Sequence, residues 1–196
     1  MRYEDLPHEE REIVRRLKAA RLSERIAILN SQQSFKDWLQ TSLSSIWNTI
    51  SSIFNDVWGW IRSAVIPKGK FHQVWVDHNI EQNGRKGMRI HVKFDVDNVK
   101  DVSCRATAYF YFSSGSKLKS KSNSSYNTSN GYVCVGKGFT PTYEGAIYED
   151  FVLFMPYGEL NMADGEHSLK FYIALYIEGG DFFADSNWVY FTHTKG

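Results

Sequence analysis

Met88–Asn98 reads MRIHVKFDVDN, and its side chains change character at every residue. Ile90, Val92, Phe94 and Val96 fall on one parity; His91, Lys93, Asp95 and Asp97 fall on the other. Successive side chains of a strand point to opposite faces. The alternation therefore predicts an antiparallel strand with one face in a core and one in water. His167–Ile177, HSLKFYIALYI, repeats it with Leu169, Phe171, Ile173, Leu175 and Ile177.

Working outward, further strands are expected at Phe71–Asn79, Cys104–Phe112, Gly131–Val135, Ile147–Met155 and Asn187–His193. Turn chemistry separates them at Asn83-Gly84, Ser113 to Gly115, Asn130-Gly131, Ala163 to Gly165 and Gly179-Gly180. Seven strands punctuated in this way predict an antiparallel β-sandwich of immunoglobulin-like or C2-like type. Its exposed faces are rich in aromatics: Tyr109, Tyr111, Tyr172, Tyr176 and Tyr190. Ser113 to Gly131 is the longest irregular segment, Ser-rich and basic through Lys117, Lys119 and Lys121, and is expected to be a solvated, mobile loop.

Upstream of Pro67–Lys70, PKGK, the period changes. Leu39, Leu43, Ile46, Ile50, Ile53, Val57 and Ile61 recur at three and four residues, with Trp47, Phe54, Trp58 and Val65 beside them. This predicts an amphipathic helix over 34–66, opened by Ser34 and Asp37 and stopped by Pro67. A shorter basic helix is expected over about 8–29. The fold class is thus α+β by content: a helical extension, 1–70, followed by an all-β sandwich domain, 71–196.

Two resemblances follow. Cys104–Phe112 (CRATAYFYF), Tyr148–Leu160 (YEDFVLFMPYGEL) and Ser186–Phe191 (SNWVYF) resemble segments of C2-like and immunoglobulin-like sandwich modules in bacterial multidomain proteins. Ser44–Val65, SSIWNTISSIFNDVWGWIRSAV, resembles the Trp-Asn repeats of phage tape-measure proteins. The second resemblance implies a phage-tail or cell-envelope setting.

Composition excludes several functions. The net charge is +1, with 11 Lys+Arg against 8 Asp+Glu in residues 1–70 and 12 against 14 in residues 71–196, so no basic domain is set aside for nucleic acid. The first residues are charged, unlike a secretory leader, which points to a cytoplasmic protein. Cys104 and Cys134 are too few for a disulfide framework and are expected as buried thiols. No phosphate loop, dinucleotide fingerprint or catalytic triad motif occurs, so neither an enzyme nor a cofactor is implied, and no small-molecule substrate is evident.

Asp95, Asp97, Asp101, Asp181 and Asp185 are the calcium candidates of a C2-like sandwich, although ordinary turn acids have the same appearance. His72 and His78 share the parity of Val74 and Val76, which places them beside the packed face.

The expected function is a non-catalytic interaction or assembly module, binding a protein partner or a second copy. Its contact face would be Trp38, Leu43, Trp47, Ile50, Phe54, Val57, Trp58 and Ile61. A peripheral membrane protein at the inner membrane face is the alternative, with Arg62, Lys68, Lys70, Lys117, Lys119 and Lys121 as basic contacts.

Overall fold

The computed structural model describes residues 66–196, of which Pro67–Gly196 form one compact unit. The expected helix over about 8–29 and, apart from Ile66, the one over 34–66 lie outside the described residues, as do Trp38, Leu43, Trp47, Ile50, Phe54, Val57, Trp58, Ile61 and Arg62.

The α+β fold class is corrected. Among the described residues every regular element is a strand, apart from one 3-10 turn at Tyr157–Glu159. The strands are β1 (Lys68–Gln82), β2 (Arg85–Asp97), β3 (Cys104–Phe112), β4 (Cys134–Phe139), β5 (Ala146–Pro156), β6 (Gly165–Ile177), β7 (Phe182–Asp185) and β8 (Val189–Lys195). In this unit the backbone pairing runs between antiparallel strands, because the apolar period is two and the turn signals leave no room for a helix.

A three-stranded sheet has the order β1-β2-β5, and a second sheet runs β4-β3-β6. Beyond β6, two strands share one flank: β8 pairs with Gly165–Phe171 and β7 with Ala174–Tyr176. Between them the Ser186 hydroxyl accepts the Ile173 amide, and the Ser186 amide donates to the Ile173 carbonyl. One residue thus satisfies the ladder where no strand runs.

β1 and β2 are joined at Asn83-Gly84, both with positive φ (52° and 69°), the backbone a two-residue hairpin turn requires. Ile90, Val92, Phe94 and Val96 of β2 are buried, with Phe151, Leu153 and Met155 of β5, Ala106, Ala108 and Phe110 of β3, and Leu169, Phe171, Ile173 and Leu175 of β6. Phe94 of one sheet meets Phe139 of the other edge-on at 5.4 Å and Phe151 at 5.6 Å. Where the sheets close, a Cβ on Gly69 would lie 2.9 Å from both the Ala184 Cβ and the Leu175 Cδ1. Only glycine lets β1 reach β7 there.

β1 carries two bulges, between Phe71 and Gln73 and between Asp77 and Ile80. Each adds a residue and changes the parity. His72 and His78 are therefore exposed rather than set against the core. His72 pairs with Asp95, and His78 turns toward Tyr157.

The Ser113–Gly131 segment is tied down by its own apolar anchor. Leu118 is buried in the core, its amide donates to the Phe110 carbonyl, and its carbonyl accepts the Val133 amide. Burying a leucine side chain is worth about 1.5–3 kcal/mol, enough to hold a polar segment on the sheet.

Candidate docking face

Registers place the outward side chains of the second sheet in rows. β3 presents Arg105, Thr107, Tyr109 and Tyr111, facing Tyr176, Ala174, Tyr172 and Lys170 of β6. The next row holds Phe182, opposite Tyr176, and Tyr190, opposite Lys170.

The rings of this face touch in series. Tyr109 stacks on Tyr172 at 5.5 Å and meets Tyr176 edge-on at 6.4 Å. Tyr176 meets Phe182 at 5.8 Å. Trp188, just before β8, stands edge-on to Tyr111 at 5.1 Å and to Tyr172 at 4.9 Å. The Lys170 ammonium sits 4.7 Å from the Trp188 ring centre and 5.8 Å from that of Tyr190. The tyrosines are half-buried by one another, while Phe182, Trp188 and Tyr190 are 53%, 42% and 64% exposed.

Burial pushes the Tyr172 phenol up to about 12, with the neighbouring Tyr111 adding to it. The Tyr109 phenol is raised further, by burial first and then by its hydrogen bond with Tyr176. These hydroxyls therefore stay neutral hydrogen-bonding groups at physiological pH. Charge at the edge is self-compensated: Arg105 lies 3.5 Å from Glu178 and donates to the Gly136 carbonyl at 3.2 Å. A Cβ on Gly136 would lie 2.7 Å from the Thr107 Oγ1 and 2.8 Å from the Arg105 Nε, so glycine leaves room for both side chains.

A groove of about 690 Å³ flanks these rings, with Tyr109, Tyr176, Thr107, Asn127 and Glu178 in its wall. Cys134 also faces it, opposite Tyr109, whereas Cys104 points into the core. The two thiols are free and on opposite faces of the sheet. Burial pushes the Cys104 thiol up to about 12, aided by Glu178, and raises that of Cys134, against the pull of Arg105. Neither is a thiolate nucleophile at neutral pH.

The other sequence-derived residues are dispersed. Lys68 and Lys70 are exposed at the start of β1, opposite Asp97 and Asp95. Lys117 lies over the Tyr132 ring at 5.0 Å, Lys119 pairs with Tyr132 through the backbone, and Lys121 is exposed. Of the calcium candidates, Asp95 is engaged by His72, Asp97 ends β2, and Asp101 lies in the connection from β2 to β3. Asp181 and Asp185 flank β7 in the other sheet. Among the described residues no group of three or more His, Cys, Asp or Glu is placed to hold a metal ion. Nor is any helix there long and apolar enough to cross a membrane.

Sequence reading found Tyr109, Tyr111, Tyr172, Tyr176 and Tyr190 of this face. It missed Phe182 and Trp188, because β7 is four residues long and Trp188 sits in the gap between two strands. Compared with family models and with curated proteins, the chain matches none.

Proposed function

We propose that Pro67–Gly196 is a non-catalytic interaction module that docks a protein partner on the aromatic face of its second sheet. The observation that carries this reading is a series of six touching rings, Tyr109, Tyr111, Tyr172, Tyr176, Phe182 and Trp188, which Lys170 joins to Tyr190, with Phe182, Trp188 and Tyr190 open to solvent. Large exposed apolar patches mark interaction sites, and Tyr and Trp supply much of the binding energy at protein interfaces. The C2-like or immunoglobulin-like resemblance is compatible with such a module but adds no function, since sandwiches host many.

A photo-crosslinking residue at position 190, in cells, tests the proposal. A discrete adduct is expected there and not with the same residue at Tyr143, which is 75% exposed but outside this face. No adduct at 190, or the same adducts at both positions, overturns it. Trp and Tyr flanking a Lys also suit a lipid interface. Flotation of the protein with liposomes that is lost in Trp188→Ser would favour a membrane surface instead.

A further inference from the structure

At the opposite end of β6 from Tyr176, a second groove of about 760 Å³ runs between the second bulge of β1, the start of β2, the 3-10 turn and β8. Its lining includes His78, Arg85, Lys86, Tyr157, His193 and Lys195. The bulge turns His78 and Asn79 into it, with Asn79 at φ 59°. Tyr157 is the centre of the arrangement. Its ring stacks on His193 at 4.2 Å, and its hydroxyl accepts the Asn79 amide at 3.1 Å and lies 3.0 Å from the His78 Nδ1.

We propose that this groove binds a phosphate- or sulfate-bearing ligand, and that binding strengthens as His193 takes up a proton. Charge complementarity carries the assignment. Arg85 is held by Glu159, and Lys195 lies 3.1 Å from Asp164 and donates to the Met162 carbonyl. Among the described residues Lys86 has no ion-pair partner, even though Glu81 lies opposite it across the hairpin.

The groups around His193 come from every neighbouring element. They are His78 of β1, Arg85 and Lys86 of β2 with Glu81 opposite Lys86, Tyr157 and Glu159 of the turn, Glu166 and His167 of β6, Asp164 before it, and Lys195 beside it. His167 donates through its Nε2 to the Ala163 carbonyl and so faces away from a groove ligand. Burial first, then the charges of His167, His78 and Lys86, hold His193 below its ordinary value. A bound dianion would offset the part of that opposition that comes from charge.

Tyr157 couples the two histidines. The Tyr157 hydroxyl and the His78 Nδ1 share a hydrogen bond whose direction is set by which ring nitrogen of His78 carries the proton. With the proton on Nδ1, His78 is the donor and the hydroxyl is left free to donate to a ligand oxygen. Charge-assisted donors of this kind are the strong ones in oxyanion recognition.

The test is an NMR titration of the full chain, reading the histidine ring protons with sodium sulfate against sodium chloride at matched ionic strength. At about pH 5.5, sulfate is expected to shift His193 and His78 saturably and chloride is not. At about pH 7.5 the affinity should fall about tenfold or more, the scale of losing charge-assisted bonds. Lys86→Gln should weaken sulfate binding severalfold at both pH values. His193→Gln should flatten the pH dependence. Lys93→Gln, on the outer face of β2, should change neither. No saturable sulfate shift at the lower pH, an equal response to chloride, or unchanged binding in Lys86→Gln overturns the assignment. Phosphorylated and sulfated small molecules, titrated in the same way, then separate the two ligand sources.

Discussion

The outer face of the three-stranded sheet and that of the second sheet share one core yet turn different chemistry to water. On the first, polar groups satisfy one another. The His91 ring, only 9% exposed, lies with its Nδ1 2.7 Å from Asp150 and its Nε2 3.2 Å from Asp77, the latter an ion-pair contact without hydrogen-bond alignment. Trp75 stacks on this ring at 5.0 Å, Lys93 pairs with Glu149 at 2.6 Å, and His72 pairs with Asp95. On the second face the rings rest on one another and leave Phe182, Trp188 and Tyr190 open. A surface whose charges are already paired has little left to offer a partner. One built of half-covered rings gains from being covered, and this difference locates the docking face.

The largest expected effect breaks both faces at once. Phe94→Ala removes the ring that meets Phe139 across the core and Phe151 on the neighbouring strand, and should cost about 3–5 kcal/mol. Urea unfolding followed by the indole resonances of Trp75 and Trp188 should show both lost in one transition. Separate transitions would mean that the faces do not share a core.

Next, His91→Ala should cost about 1–3 kcal/mol, since it leaves Trp75 without its stacking partner and breaks the contacts with Asp77 and Asp150. Its effect should shrink in high salt. Trp188→Ser, on the other face, should cost about 0.5–1.5 kcal/mol from the two edge-on contacts, with little salt dependence. Equal salt responses would erase the distinction drawn between the faces.

Two pH effects sharpen it further. Glu159 accepts from Ser124 and Arg85, and these bonds hold its carboxyl below the ordinary value of 4.5. The stabilisation is full above 4.5 and lost as pH falls through the lowered folded-state value. Glu159→Gln should remove that acid-side step from a plot of stability against pH. His193 is held below 6.5, so the unfolded chain takes up its proton first. Stability should therefore decline as pH falls below about 6.5. His193→Gln should remove this milder slope, and saturating sulfate should reduce it. The smallest effect is Lys170→Gln, about 0.5–1 kcal/mol from the ammonium over Trp188 and Tyr190.

Much of the sandwich was legible because its central strands are amphipathic with period two. The expected Cys104–Phe112 matches β3, and the alternation around Ile90–Val96 and Leu169–Ile177 marks the cores of β2 and β6. The Asn83-Gly84 turn was legible from composition alone. What failed depended on non-local partners. Gly136 and Gly138 weaken a strand signal, so β4 was expected at Gly131–Val135 rather than Cys134–Phe139, and the Thr107 and Arg105 side chains lying over Gly136 explain the glycine. The β1 bulges reversed the parity of His72 and His78, and the histidine groove formed by that reversal left no mark in the sequence. In Ser113–Gly131 a single leucine outweighs the surrounding serines, a balance set by the cavity it fills rather than by the segment itself.

The divided flank of β6 has a consequence for how the chain behaves in a crowd. An uninterrupted outer strand is a template on which other chains can polymerise. Here that margin is cut into four residues of β7 and seven of β8, with the Ser186 hydroxyl occupying the interruption. A foreign strand would find no straight run of free amides long enough to zip onto, although the aromatic face beside it stays accessible. The same break that lifts Trp188 to the surface thereby makes this flank a poorer template for strand addition than the longer edges β1 and β5 of the other sheet.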